Sequence, residues 1–188
     1  ARKLGYIVNM GPELEFFLAE RDPVGVNGLR RYVDELSRVY TVGAVSDPRE
    51  IVLKMLLWCD DLGLQAFAAN HEFMNSQYEI NVKHSGALDA ADRAFMLKAA
   101  VKEIAAREGM LATFMGRPFA DQGGSGFHVH LSLNDASGKN AFADEGGRRA
   151  RASAIDERER HALPGAVDVD VVGAVALREL PRPSFARG

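Results

Sequence analysis

The chain has 188 residues, of which 47% are hydrophobic and 26% are charged, and its formal net charge is −3 at pH 7. This composition is typical of a soluble globular protein with a substantial core, and the charge gives no support for nucleic-acid binding. No uninterrupted apolar run approaches the roughly 20 residues that a membrane helix needs. The only cysteine, Cys59, cannot form an internal disulfide, so we expect a buried thiol and a reducing, cytoplasmic environment.

The amino-terminal part predicts a strand followed by a loop and a helix. Residues 4–18 are expected to be extended. Pro23, Gly25 and Asn27 indicate a turn-rich loop over residues 22–28. A short helix is expected over residues 29–40.

The segment Asp47-Pro48-Arg49-Glu50 indicates the start of a second helix. Asp47 can cap the free N–H groups, Pro48 suits the first turn, and Glu50 stands where a capping box carries a carboxylate. We expect this helix to end at Gly63. Its predicted buried residues are spaced four, three and four positions apart: Ile51, Met55, Trp58 and Leu62.

The middle of the chain predicts a hairpin and then the longest helix. The hairpin consists of strands at residues 64–72 and 77–82. The helix covers residues 85–108, ends at Gly109, and carries an apolar stripe formed by Ala94, Leu97, Val101 and Ile104. A strand at residues 111–115 and a loop at 117–124 follow. The order of these elements favours an α+β fold, in which a mostly antiparallel sheet is packed by helices.

The segment Gly124-Ser125-Gly126-Phe127-His128-Val129-His130-Leu131-Ser132-Leu133 has the most distinctive pattern. Polar and apolar residues alternate from Phe127 onward, so a strand would place His128, His130 and Ser132 on one face and the apolar side chains in the core. The preceding small residues let a ligand approach the backbone. The pattern predicts a candidate site for metal and phosphate.

Acidic residues on other predicted strands could complete such a site. Glu13 and Glu15 share one strand face, Glu72 ends a strand, and Glu79 lies on the next. If these carboxylates converge, a bound cation is the economical explanation, because they would otherwise repel one another. Oxygen ligands favour Mg²⁺ or Mn²⁺, and an added imidazole favours tolerance of Mn²⁺. The alternative is that each glutamate is a solvated strand residue.

Five motifs, in order, resemble the catalytic domain of the glutamine synthetase family. The resemblance covers roughly residues 4–142 and implies a curved antiparallel sheet packed by helices. The motifs are Gly11-Pro12-Glu13-Leu14-Glu15-Phe16-Phe17-Leu18, Asn70-His71-Glu72, Gln77-Tyr78-Glu79-Ile80, the helix and strand between Ala87 and Pro118, and Gly124 to Ser132.

The resemblance also implies a reaction. The γ-carboxylate of glutamate would attack the γ-phosphate of ATP, and ammonia or an amine would displace phosphate from γ-glutamyl phosphate. Mg²⁺ or Mn²⁺ would neutralise the reacting anions. The resemblance also implies a homo-oligomer for the full-length family, and it leaves the catalytic residues unknown. The implied ligands are Glu15, Glu72 and Glu79 for the metal near glutamate, Glu13 and His128 for the metal at the ATP phosphates, His130 and Ser132 for the nucleotide, and Gly124 for glutamate.

Three positions depart from the family pattern. Phe67 stands in place of a nucleotide-contacting glutamate, and Asn70 replaces a frequent histidine. Gly123 replaces the asparagine that holds the substrate amino group in glutamine-forming members. This altered loop resembles that of relatives which ligate glutamate to polyamines or other amines, so ammonia and an amine both stay open as acceptors.

A change in composition near Gly146-Gly147 predicts a boundary. Residues 147–188 contain eight arginines and no lysine, whereas residues 1–146 contain nine arginines and six lysines. We expect residues 1–146 to be part of the catalytic domain and residues 147–188 to be an anomalous tail, frameshifted or disordered; a genuine surface appendage is the alternative. Later family motifs and the amino-terminal family domain are not found, so we expect a truncated chain that is inactive alone.

Other functions stay open from sequence alone. A non-catalytic metal- or nucleotide-binding remnant, or an interaction module, would bind ATP with metal but not turn it over. A cupin-like oxygenase would need a further histidine on a later strand, and His161 lies in the anomalous tail. A glycosidase with paired carboxylates would leave the histidines unexplained.

Overall fold

The computed structural model describes residues 1–26, 28–34 and 39–141, which form an α+β fold with a curved antiparallel sheet. A 3₁₀ turn, Arg2–Leu4, precedes the first strand. The strands are β1 (Ile7–Val26), β2 (Leu29–Arg31), β3 (Ala66–His71), β4 (Gln77–Val82), β5 (Ser85–Gly86), β6 (Met110–Thr113) and β7 (Phe127–Asn134). The helices are α1 (Ile51–Cys59), which continues into a π-helical turn (Asp60–Leu64), and α2 (Ala87–Arg107). The predicted fold class is confirmed.

Strand β1 is the centre of the sheet and pairs with five other strands. Phe17 pairs with Gln77 of β4 on one edge and with Thr113 of β6 on the other. β7 runs along the same edge as β6, while β2 and β5 share the edge of β4. Where β1 is paired on both edges, the pairing fixes the direction of its side chains, because a slip of one residue would exchange the two faces.

The alternation along β1 separates an apolar face from a polar one. Leu14, Phe16 and Leu18 are buried against the two helices, together with alternate residues of β4. Glu13 and Glu15 consequently point to the opposite face. From α2, the predicted stripe of Ala94, Leu97, Val101 and Ile104 is buried in the same core.

Helix α1 starts later than the sequence predicted, although Asp47 does cap it. The carboxylate of Asp47 accepts hydrogen bonds from the backbone N–H groups of Ile51, Val52 and Leu53 at 2.8, 2.8 and 3.1 Å. Glu50 adopts a left-handed conformation, with φ of 55°, immediately before the helix. The predicted capping box is therefore wrong, since Glu50 belongs to the turn and not to the first helical turn.

Two other local predictions are wrong. Residues 29–31 form β2 and not a helix, because their backbone groups pair with β1. Trp58 and Leu62, which were expected in the core, are 40% and 62% exposed. The buried side of α1 is formed instead by Ile51, Val52, Met55 and Cys59.

Strand β7 is less buried on its apolar side than its pattern indicated. Phe127 is 56% exposed, and Val129, Leu131 and Leu133 are partly buried. The predicted burial of Phe127 is therefore wrong.

The sequence also predicted a domain boundary and gave no sign of a membrane helix. The predicted tail, residues 147–188, lies outside the described residues, so the boundary near residue 146 stays a prediction. Among residues 1–26, 28–34 and 39–141, no helix is long and apolar enough to cross a membrane.

Candidate metal and substrate site

The polar face of the sheet lines a cleft of about 770 Å³. Seven of the eight predicted site residues lie in its wall: Glu13, Glu15, Glu72, Glu79, Gly124, His128 and His130. Ser132 is two residues beyond His130 on the same face of β7, opposite Asn9 of β1, and does not line the cleft.

Strand register explains how distant residues meet in this cleft. Glu13 is directly opposite His128 of β7, and Glu15 is directly opposite Glu79 of β4. Opposite residues in an antiparallel pair project to the same face, where their Cβ atoms are about 5 Å apart. The three strands therefore bring two pairs of polar side chains to one place.

The cluster is tight enough for a single cation to contact several of its members. Ligand atoms of Glu13, Glu79 and His128 all lie within 4.8 Å of one another. Nδ1 of His128 is 3.9 Å from both Oε2 of Glu13 and Oε1 of Glu15. These separations match oxygen and nitrogen donors arranged around a shared ion.

His130 extends the cluster toward the far end of β7. Its Nε2 lies 2.7 Å from Oε1 of Glu13, although the geometry of this contact is not that of a hydrogen bond. The same Nε2 is buried and has no hydrogen-bond partner. Such an orphaned atom beside a carboxylate is suited to a ligand or to a metal-bound group.

The electrostatics of the carboxylates also favour a cation. Burial, together with the charges of Glu79, Glu15 and Glu13, raises the pKa of Glu72 to about 7. Burial raises the pKa of Glu79 as well, aided by the charge of Glu13 and opposed by a hydrogen bond from Asn81. A divalent cation would compensate the buried charge and offset the repulsion that adds to the effect of burial.

A glycine provides room within the cluster. A Cβ atom on Gly126 would lie 2.8 and 2.9 Å from Cε1 and Nε2 of His128 and 3.0 Å from Oε1 of Glu15. Without that atom, the imidazole and the carboxylate can approach the backbone. The donor types, the spacing and this open space all fit a hard divalent cation such as Mg²⁺ or Mn²⁺.

Sequence reasoning missed three amides that support the carboxylates. Asn81 donates to Oε1 of Glu79 at 2.9 Å, and Asn70 donates to the same oxygen at 3.4 Å. Gln77 donates to Oε2 of Glu15 at 2.8 Å. The signal was present, because alternation along β4 places Gln77, Glu79 and Asn81 on one face.

The three departures from the family pattern occupy defined places. Asn70 supports Glu79 as described, and Phe67 is 43% exposed on β3. At Gly123, a Cβ atom would lie 3.2 Å from the side chain of Met74. Met74 therefore fills the space next to Gly123.

Comparison with known proteins identifies the family. The family model for the glutamine synthetase catalytic domain matches residues 1–165. The chain belongs to the glutamine synthetase family.

Relatives of this glutamine synthetase family member carry two different names. A glutamine synthetase from Clostridium saccharobutylicum is 40% identical over 146 residues, which cover 77% of this chain and 32% of that protein. A glutamate–isopropylamine ligase from Pseudomonas sp is 36% identical over 148 residues, covering 77% and 32% respectively. The chain thus spans about a third of the length of these relatives.

The solved structures of the family agree with the fold. A structure described as a GmaS/ADP complex superposes with a TM-score of 0.70 at 32% identity, and the match covers 82% of this chain and 35% of that one. Apo GmaS without ligand gives a TM-score of 0.67 at 33% identity, with coverage of 78% and 34%.

Proposed function

We propose that this chain is part of an ATP-dependent ligase that converts glutamate to γ-glutamyl phosphate and then to an amide. The observation that carries the proposal is the convergence of Glu13, Glu15, Glu72, Glu79 and His128 on one face of the sheet. The resemblance of the five sequence motifs to glutamine synthetase supports the same conclusion. The acceptor is ammonia or an amine, since both kinds of ligase occur among the named relatives.

We assign the ligands to two adjoining cation sites. Glu15, Glu72 and Glu79 would hold the Mg²⁺ or Mn²⁺ nearer glutamate, and Glu13 and His128 would hold the one nearer the ATP phosphates. When bound, these cations would neutralise the two anionic reactants and the charge that develops during phosphoryl transfer.

The remaining predicted site residues bind and orient substrates in this proposal. His130 and Ser132 would contact the nucleotide, and the backbone at Gly124 would line the glutamate site. The nearly buried side chain of Glu79 and its amide partners keep one carboxylate in a fixed place. Preorganised groups of this kind lower the cost of bringing two anions together.

The cation site can be tested with Mn²⁺ alone. Glu13→Gln and Glu79→Gln should each weaken Mn²⁺ binding to the 188-residue chain by more than about 10-fold, measured by electron paramagnetic resonance of free Mn²⁺. Glu103→Gln is the matched control, since Glu103 is on α2 with its side chain 63% exposed and forms an ion pair with Arg107. Equal Mn²⁺ affinity in all four proteins would contradict the proposed site.

A second assay addresses turnover by the chain on its own. Because the chain spans about a third of the relatives' length, we expect Mn²⁺-dependent ATP binding without phosphate release in the presence of glutamate and ammonia or alkylamines. Robust phosphate release would show that the chain is sufficient for catalysis.

We further propose that the protein acts in the cytoplasm as a homo-oligomer, as the family does.

A further inference from the structure

The side chain of Gln77 is almost completely buried, with 1% exposed, and every polar atom of its amide has a partner. Nε2 donates to Oε2 of Glu15 at 2.8 Å and to the carbonyl oxygen of Gly124 at 2.9 Å. Oε1 accepts from the backbone N–H of Met74 at 3.2 Å. The amide has one orientation, because a flip would place its oxygen against a carboxylate and a carbonyl.

These bonds fix the orientation of the Glu15 carboxylate, so that one oxygen is hydrogen-bonded and the other faces the cluster. Oε2 accepts from Gln77 and also from the backbone N–H of Gly126, both at 2.8 Å. Oε1 is the oxygen that lies 3.9 Å from Nδ1 of His128. Rotation of the carboxylate would break two charge-assisted hydrogen bonds in a buried setting, so this orientation is strongly preferred.

The amide of Gln77 also holds residues 124–126, in the loop between β6 and β7, in place. The carbonyl of Gly124 is held by Gln77 on β4, and the N–H of Gly126 is held by Glu15 on β1. The loop is therefore fastened to two adjacent strands through one glutamine and one glutamate. A change in the position of Glu15 must therefore shift residues 124–126, and a shift of residues 124–126 must move Glu15.

We propose that Gln77 is a positioning residue for the metal site and couples that site to the Gly124 loop. It holds Glu15 with one carboxylate oxygen toward the cation. Through its bond to the carbonyl of Gly124, it also makes the loop more rigid when a cation binds. The inference rests on the proposed function, since the orientation of Glu15 matters for affinity only if a cation binds. Groups that orient metal ligands typically contribute about 10- to 100-fold to metal affinity.

The test compares Gln77→Met with Ser76→Ala in the 188-residue chain. Methionine matches glutamine in length but cannot donate to Glu15 or Gly124. Ser76 is the adjacent buried residue of the same hairpin, and its hydroxyl bonds to the backbone N–H and carbonyl of Val33, at 2.6 and 2.8 Å. Both variants lose buried hydrogen bonds, so both should have a lower Tm.

Two readouts separate positioning from stability. Gln77→Met should weaken Mn²⁺ binding by about 10- to 100-fold, whereas Ser76→Ala should leave it unchanged. In the wild-type chain, Mn²⁺ should slow hydrogen exchange of the Gly126 amide, and this protection should be lost in Gln77→Met. If Gln77→Met gives no cooperative melt, Gln77→Asn supplies the same test, because the shorter amide fits the space but cannot reach both acceptors.

The outcomes distinguish this inference from the proposed function. Wild-type Mn²⁺ affinity in Gln77→Met, with only a lower Tm, would overturn the positioning role and leave the metal site intact. Loss of affinity in Ser76→Ala as large as in Gln77→Met would likewise reduce Gln77 to a structural residue. A wild-type chain that binds no Mn²⁺ would overturn the proposed function together with this inference.

Discussion

Gly126 shows at the scale of one residue how the absence of a side chain can create a binding site. Alanine at this position would bring its Cβ to 2.8 Å from the ring of His128 and 3.0 Å from Glu15. Real Cβ contacts are essentially never shorter than 3.0 Å, so the imidazole ring would have to move, and the contact with Glu15 would be unusually tight. We expect Gly126→Ala to push the imidazole and the carboxylate apart and to weaken Mn²⁺ binding by about 10-fold or more, measured by calorimetric titration.

Gly116→Ala is the control for that prediction. Gly116 belongs to the same loop region, and a Cβ there would have nothing within 4 Å. Its Mn²⁺ affinity should equal that of the wild type. If both substitutions leave the affinity unchanged, the space beside Gly126 has no part in cation binding.

Glu72 predicts how the stability of the metal-free chain changes with pH. Its pKa of about 7 in the folded chain exceeds the ordinary 4.5, so the folded chain holds this proton more tightly than the unfolded chain does. Between pH 4.5 and 7 the unfolded chain ionises first, and the free energy of unfolding therefore falls as pH rises. Because Glu72 is only partly buried, solvent screening keeps this contribution below the roughly 3 kcal/mol that the full pKa difference would give.

The measurement is urea unfolding with a chelator present, from pH 4.5 to pH 8. Glu72→Gln should show a smaller fall in stability across this window and should be more stable than the wild type at pH 8. An identical pH profile for the two proteins would mean that Glu72 titrates normally.

Individual residues also show how far the sequence could predict the site. Alternation placed His128 with His130, and Glu13 with Glu15, because the side-chain period of a strand is two. It could not predict that Glu13 faces His128 or that Glu15 faces Glu79, since register depends on pairing between distant segments.

At the scale of elements, the start of α1 depends on one carboxylate. Asp47 accepts from three backbone N–H groups of the helix and from the hydroxyl of Tyr32 at 2.9 Å. We expect Asp47→Ala to lower the free energy of unfolding by about 2 kcal/mol. Chemical denaturation would measure this, with Asp61→Ala as a control because Asp61 is exposed at the other end of the helix. Equal losses for the two variants would contradict the capping role.

Elements also explain where sequence interpretation failed. The segment that begins at Leu29 has helical character locally, yet it forms β2 because β1 offers unpaired backbone groups beside it. Trp58 and Leu62 fit an apolar period, but the core contacts a different side of α1. The long α2 stripe was predictable because seven of its residues are buried along one face, so local pattern and tertiary packing agree.

At the scale of the whole molecule, Cys59 reports on the integrity of the core. Its thiol is fully buried, and burial raises its pKa to about 11. We expect no reaction with a disulfide reagent at pH 8 in the native chain and complete reaction in urea, with the midpoint matching that of unfolding by circular dichroism. Rapid labelling of the native chain would show that α1 separates from the sheet without global unfolding.

The central position of β1 has a consequence for biosynthesis. Glu13 and Glu15 leave the ribosome before β7, which carries His128 and is the last of the described strands. The two carboxylates therefore lack the imidazole of His128 until β7 pairs with β1. Such a long-range pairing is slow to form. A cation that requires the completed pair would bind only at the end of assembly and would then oppose its reversal.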